Sequence, residues 1–213
     1  MTNNQNDTIF NLVDFLLYTV NIRRKMKKVF DMLVKLPKWY GVCIVFIYSL
    51  IAAEYMSSLI RFSTNGFENV PKVVSVILYV GHIVSVLISF VIWIIYSYLF
   101  YLTSKVLNGT GDFRHFLYVS AYTFIFPSLC IFIAIFMLDS IDIANVDNVT
   151  DFLIHNNRFR DIVTFVDLSF LPYYLLNIVF VHYSFLLNWW RSTISVIGPI
   201  SALFGISKLF ELI

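Results

Sequence analysis

The sequence predicts an all-α membrane protein: a polytopic bundle of five transmembrane helices preceded by an amphipathic helix. Hydrophobic residues make up 59% of the 213-residue chain, and charged residues only 13%. Soluble domains carry about 25% charged residues, so this chain has too few polar side chains to cover a water-facing exterior. Its apolar residues also fall into runs of about twenty, which is the length that crosses a bilayer core as a helix.

The predicted spans lie close together along the chain, with short polar segments between them. The second run is longer than a bilayer requires, which predicts either one tilted helix or a break near Gly81-His82. Trp189-Trp190-Arg191 is predicted to be the interfacial end of the fourth span, as an aromatic belt beside a basic residue. The membrane domain is residues 39–213, with spans at about 39–60, 73–102, 115–138, 162–190 and 193–213.

Residues 1–38 form a separate N-terminal segment. Ile9 to Val20 is too short to span a bilayer, but its apolar residues recur on one helical face, which predicts an amphipathic helix. A basic run follows it, consisting of Arg23, Arg24, Lys25, Lys27 and Lys28. This pattern is typical of a helix on an anionic membrane surface, and equally of a cytosolic helix that packs on the protein's own spans. The polar start lacks a basic n-region, so no secretory signal peptide is expected.

The distribution of basic residues predicts the orientation of the chain. With five spans, most of the Lys and Arg residues fall on the side that carries the N-terminus. Because basic residues concentrate in cytoplasmic segments, we expect a multi-pass protein of the cell membrane. Its N-terminus is then cytosolic, and its C-terminus and the aspartate-rich segment from Asp139 to Asp161 are external.

Ionisable residues inside spans are costly, so each is a candidate functional residue. In the predicted topology four of them lie at a similar depth in the outer half of the membrane: Glu54, His82, Asp167 and Lys208. They are interpreted either as a polar cluster that forms a proton, ion or ligand site, or as side chains that reach water at the interface. His182, near the inner end of its span, is interpreted as a hydrogen-bonded packing residue.

The sequence carries no enzyme signature. It has no phosphate-binding glycine loop, no HExxH motif and no GxSxG motif, so no catalytic residue and no cofactor are expected. Cys43 and Cys130 lie in apolar runs without metal-ligand or disulfide spacing, so no metal site is expected. Nucleic-acid binding is not expected either, because the one basic run abuts a membrane helix.

A polar, glycine-bearing turn between the second and third spans is the most distinctive stretch of the chain. Asn-Gly and Thr-Gly are predicted to supply the positive backbone φ of a tight reversal. Asp112 is predicted to cap the third helix, and Pro127 to kink it. By itself this pattern also fits a helical hairpin with no further role.

The same stretch resembles the Yip family (Ypt-interacting proteins) of multi-spanning membrane proteins, particularly its small bacterial members. In that family a short glycine turn ends one span, a phenylalanine begins the next, and a tyrosine segment ends in proline. The matching residues include Asn108, Gly109, Gly111, Asp112, Phe113, Tyr122 and Pro127. Asn108 stands where bacterial members often have a second adjacent glycine.

The resemblance implies a protein without enzymatic activity that acts in the lipid bilayer through partners. It would serve membrane organisation, or act as an accessory to an ATP-driven transporter, to an export system or to a toxic-peptide self-protection system. The alternative is a small transporter or channel subunit that uses the outer-half polar cluster. The sequence leaves the oligomeric state open.

Overall fold

The computed structural model describes residues 21, 23–64, 72–141 and 155–211, and these residues form helices and turns with no strand among them. The chain divides into two compact units, Met1–Leu36 and Pro37–Ile213. In the first unit, helix α1 covers residues 23–35 and exposes all five side chains of the predicted basic run. The amphipathic helix predicted at Ile9 to Val20 lies outside the described residues.

The described residues of the second unit form helices and the turns that join them, which confirms the predicted all-α class for those residues. A four-residue 3-10 helix, Ala121–Phe124, separates two of the α-helices. The α-helices are α2 (Lys38–Thr64), α3 (Lys72–Val106), α4 (Phe113–Ser120), α5 (Ile125–Asp139), α6 (Asn157–Phe185) and α7 (Trp189–Glu211).

Within the described residues, four helical segments are long and apolar enough to cross a membrane. They are Lys38–Ile60, Tyr79–Val106, Phe113–Asp139 and Asn157–Phe185, and they correspond to the first four predicted spans. The fifth predicted span forms helix α7, which is not among these four candidates. The five-span count therefore stays a prediction.

The structure shows where the second and fourth predicted spans begin and end as helices. The second run forms one continuous helix of 35 residues, about 52 Å long at 1.5 Å per residue, with no break near Gly81-His82. The prediction that Trp189-Trp190-Arg191 ends the fourth span is wrong, because α6 ends at Phe185 and Trp189 begins α7. The reason is local: Leu186 adopts the left-handed conformation at φ 55°, which ends the helix four residues before the tryptophans.

The five long segments pack in a closed order. Helix α2 contacts α3 and α5, α5 contacts α6, α6 contacts α7, and α7 returns to α3. Helix α4 and the 3-10 segment pack against α2, α3 and α6 at once. All four residues of the 3-10 segment are consequently buried.

The irregularity predicted at Pro127 is present as this 3-10 segment. Proline lacks an N–H donor, and its ring clashes with the carbonyl of the residue four positions earlier, which here is Thr123. The backbone immediately before Pro127 therefore winds more tightly. The Ser120 hydroxyl donates to the Leu117 carbonyl at 2.8 Å, and the Thr123 hydroxyl donates to the Ser120 carbonyl at 2.6 Å. These two carbonyl oxygens therefore have local hydrogen-bond donors.

We expect Ser120→Ala to lower the free energy of unfolding by about 1–2 kcal/mol, because it leaves the indole N–H of Trp93 without its acceptor inside the bundle. Ser89→Ala is the matched control, since the Ser89 hydroxyl bonds only Ser85 of its own helix. The measurement is denaturant unfolding of the purified protein in detergent. Equal losses from the two variants would contradict this account of the 3-10 segment.

Candidate functional site

The turn that joins α3 to α4 closes the end of α3 with a recognisable hydrogen-bond pattern. The N–H of Gly109 donates to Ser104 O at 2.8 Å, and the N–H of Asn108 donates to Lys105 O at 3.0 Å. Asn108 has φ 68°, so this is a Schellman motif with asparagine at the left-handed position. Asparagine tolerates this conformation better than most residues, which explains its place in the motif.

The prediction that Asn-Gly and Thr-Gly supply positive φ holds for Asn108 alone, because no glycine in the described residues has positive φ. These glycines are required by close packing instead. A Cβ added to Gly109 would lie 2.9 Å from both Ser104 O and the Phe185 Cβ. At Gly111 an added Cβ would overlap the carbonyl oxygen of Ser184 and lie 2.7 Å from Phe185 Cδ1. The turn therefore lies directly against the end of α6.

A second turn, Leu186–Asn188, lies against the first. The N–H of Thr110 donates to Phe185 O at 3.1 Å, which joins the two backbones. The guanidinium of Arg191 donates to Leu107 O at 3.4 Å. We call the segments Leu107–Asp112 and Leu186–Asn188 the turn pair, and the bundle end that carries them the turn end.

Side chains at the helix ends hold the turn pair in place. The Asp112 carboxylate accepts from the N–H of His115 at 3.2 Å, so the predicted cap is present. His182 stacks on Trp189 with ring centroids 4.1 Å apart, and its Nδ1 is hydrogen-bonded to Leu187 O. His182 is therefore a hydrogen-bonded packing residue, as the sequence suggested.

Aromatic side chains fill the space beneath the turn pair. Phe116 and Phe185 are fully buried, with ring centroids 5.1 Å apart. The Tyr101 ring contacts both Phe113 and Phe185, at 5.4 and 5.9 Å. Phe113, the phenylalanine of the family-like motif, therefore packs against α3, through Tyr98 and Tyr101.

A buried polar network lies deeper in the bundle, and sequence reasoning missed it. Trp93 Nε1 donates to Ser120 Oγ at 3.1 Å, and Ser97 Oγ lies 2.9 Å from the same atom. Asn177 Nδ2 donates to Thr123 Oγ1 at 3.2 Å. The network thus joins the third span to both α3 and α6. The signal for it in the sequence is an asparagine within a span, since a polar amide there bonds across helices.

Two buried polar atoms have no hydrogen-bond partner within the described residues: Asn177 Oδ1 and Ser184 Oγ. Asn177 is fully buried, and its amide N–H groups already bond Thr123 and the Tyr173 carbonyl. Tyr122 of the family-like motif is also buried beside this network. The arrangement stabilises helix packing, and it offers no nucleophile paired with a base.

The four ionisable residues predicted to cluster have different surroundings. His82 Nδ1 lies 3.3 Å from Ser57 Oγ, which joins α3 to α2. Glu54 is half-buried, whereas Asp167 and Lys208 are exposed. Within the described part of the chain, no three His, Cys, Asp or Glu side chains come close enough together to bind a metal. Whether the four residues converge on one site stays a prediction.

A lateral groove of 360 Å³ runs between α2 and α5, beside Pro127. Its walls are aliphatic and aromatic, and its one polar side chain, Ser128, donates its hydroxyl to Phe124 O at 2.7 Å. The groove therefore presents no unsatisfied polar group to a hydrocarbon environment. Its lining residues are Ile44, Ile47, Ile51, Ile125, Ser128, Leu129 and Phe132.

A second cavity of 260 Å³ lies where α5 ends and α6 begins, at the end of the bundle opposite the turn pair. Arg158 and Asp161 line it together with Ser140, and all three side chains are exposed. The Ser140 hydroxyl is engaged with Met137 O at 2.6 Å. This cavity borders the aspartate-rich segment, most of which lies outside the described residues.

We expect Gly111→Ala to destabilise the protein by about 1–3 kcal/mol or more, because the new methyl group would overlap the Ser184 carbonyl. Gly81→Ala is the control: nothing lies within 4 Å of the added Cβ, and helix propensity favours alanine by about 1 kcal/mol. Thermal unfolding in detergent measures both variants. A Gly111→Ala protein as stable as Gly81→Ala would show that the contact with α6 is dispensable.

Comparison of the chain with protein-family models, with curated proteins and with solved structures finds no match. No relative therefore assigns a role to the turn pair or to the groove. What the protein does is inferred from its own residues and their geometry.

Proposed function

We propose that this chain is a five-span, Yip-type protein of the cell membrane, without enzymatic activity, that acts by binding a partner protein in the same bilayer. Its role would be membrane organisation, or that of an accessory to a transport, export or toxic-peptide self-protection system. The partner class is a membrane protein such as an ATP-driven transporter. The residues of the motif that resembles the Yip family support this proposal, because the motif begins in the turn against α6 and ends at Pro127, beside the groove.

Helix α7 is the fifth span of this proposal. Its 23 residues extend about 35 Å, which is enough for a hydrocarbon core of about 30 Å. Five spans place the two termini on opposite sides of the membrane. The exposed basic residues Lys38, Lys105, Arg114 and Arg191 belong to the helix ends at the turn end. The excess of basic residues in cytoplasmic segments favours a cytosolic turn end and N-terminus, with the C-terminus external.

The lateral groove is the observation that carries the proposal. In lipid, helices associate mainly through van der Waals packing, because lipid tails are as apolar as leucine. A concave apolar surface offers more such contact than a convex one. Ile47, Leu129 and Phe132 are each about half exposed along this groove, so they are available to an incoming helix. The occupant that this surface fits is an apolar transmembrane helix of the partner.

Pro127, the last residue of the family-like motif, lies in α5, the helix that forms one wall of the groove. Ile125 and Ser128 flank Pro127, and the 3-10 segment immediately before them sets where α5 begins. The motif residues that look ordinary in sequence therefore shape one wall of the groove. A change in the 3-10 segment is expected to alter partner binding through this wall.

Photo-crosslinking tests the proposal in the intact membrane. A photoreactive amino acid at position 47 or 129 should capture a protein that also co-purifies with the tagged chain in mild detergent. The same group at Leu87, which is 62% exposed on α3 and does not line the groove, is the control. Capture at all three positions alike, or at none, would contradict a partner in the groove.

The alternative function is a small transporter or channel subunit, and one observation favours it. The hydrogen bond between His82 and Ser57 places a titratable ring between two membrane helices. An ion-conducting role requires flux in liposomes that contain only this protein. We expect no such flux, and therefore no effect of Glu54→Gln or Asp167→Asn. A flux that these substitutions reduce would favour the transporter.

A further inference from the structure

Three apolar side chains project from the turn end. Val106 and Leu186 are each 80% exposed, and Trp190 is 72% exposed. Val106 ends α3, Leu186 follows α6, and Trp190 lies in the first turn of α7, so the three come from the helix ends that the turn pair joins. Water alone would disfavour this exposure, whereas the interfacial zone of a bilayer accepts aliphatic and tryptophan side chains.

Basic side chains lie on helix ends of the same turn end. Lys105, Arg114 and Arg191 are all exposed, and none forms an ion pair within the described ranges. The one carboxylate at the turn pair, Asp112, is occupied in capping α4. Three cations stand against this one carboxylate, so the turn end carries a net excess of positive charge.

Two of these cations are held in position. The Arg191 guanidinium donates to Leu107 O at 3.4 Å, and the Lys105 ammonium lies 5.7 Å from the centre of the Tyr101 ring. A guanidinium carries five N–H donors, so Arg191 retains donors for an oxyanion after bonding Leu107. Because its position is set by the turn itself, less conformational entropy is lost when an anion binds.

The backbone of the turn does not compete for an anion. The N–H groups of Leu107, Asn108, Gly109 and Thr110 all donate to carbonyl oxygens of α3 or α6. An anion at this surface would therefore be bound by side chains. Its affinity should depend on the charge and reach of Lys105, Arg114 and Arg191.

We propose that the turn end binds the phosphate group of an anionic phospholipid from the leaflet that surrounds it. Charge complementarity supplies the attraction for the phosphate, and the exposed Val106, Leu186 and Trp190 offer apolar contact to the glycerol and the first acyl carbons. A free phosphate or a soluble acidic molecule has no apolar part that could contact Val106, Leu186 and Trp190. This lipid site goes beyond the proposed function, because it lies at the end of the bundle and not at the lateral groove.

Native mass spectrometry of the full-length protein tests the site. The protein is incubated with equal amounts of phosphatidylglycerol and phosphatidylcholine, and the ratio of the two bound lipids is measured. We expect phosphatidylglycerol to be enriched. The triple variant Lys105→Gln, Arg114→Gln and Arg191→Gln should reduce this enrichment by up to about a hundredfold, because each cation near a membrane surface contributes about fivefold.

The matched control is Arg158→Gln with Arg160→Gln, which removes exposed cations near the start of α6, at the opposite end. The basic run of α1 is unchanged in both variants, so it cannot account for a difference between them. If the control loses as much enrichment as the triple variant, the effect is general electrostatics and the site is wrong. An unchanged ratio in a folded triple variant overturns the proposal equally.

Two further measurements test the apolar contact and the lipid headgroup separately. If the triple variant does not fold, Trp190→Ala in the intact charge background should still reduce the bound phosphatidylglycerol, because an apolar contact is lost. An excess of glycerol phosphate should leave the lipid bound. Displacement by this soluble headgroup would show a site for free phosphate and overturn the assignment to a lipid.

Discussion

The contact between a glycine turn and the end of a neighbouring helix is the constraint on which the rest of the bundle depends. Gly109 and Gly111 lie closer to the Phe185 side chain and the Ser184 backbone than an added Cβ would allow. This approach sets the axial position of the α3–α4 hairpin against α6. It also places the left-handed Leu186 beside the first turn, so the chain reverses there and α7 begins at Trp189.

The second constraint is the buried polar network around the 3-10 segment. In a hydrocarbon surrounding, an unpaired polar group is costly, so the polar atoms of Trp93, Ser120 and Thr123 bond one another and nearby carbonyls. These bonds cross between helices and tie the third span to its neighbours. Asn177 Oδ1 is the exception in this network, because it has no hydrogen-bond donor among the described residues.

These two constraints shape two different surfaces. The 3-10 segment and Pro127 set the start of α5, and thereby one wall of the lateral groove. The glycine contact sets the turn pair, and thereby the position of Arg191 beside Leu107. A partner helix in the groove and a lipid phosphate at the turn end would not compete, because one surface faces sideways and the other lies at the end of the bundle.

The sequence by itself determined the helical class, the approximate spans and the Asp112 cap. Each depends on composition or on residues close together in the chain. It assigned positive φ to both Asn-Gly and Thr-Gly, whereas Asn108 alone adopts it there. It also placed the end of α6 at the tryptophans, whereas the left-handed Leu186 ends the helix at Phe185. The sequence did not predict the polar network or the groove. They join residues such as Thr123 and Asn177, 54 positions apart, whose meeting only the tertiary structure decided, through the packing of one helix against another.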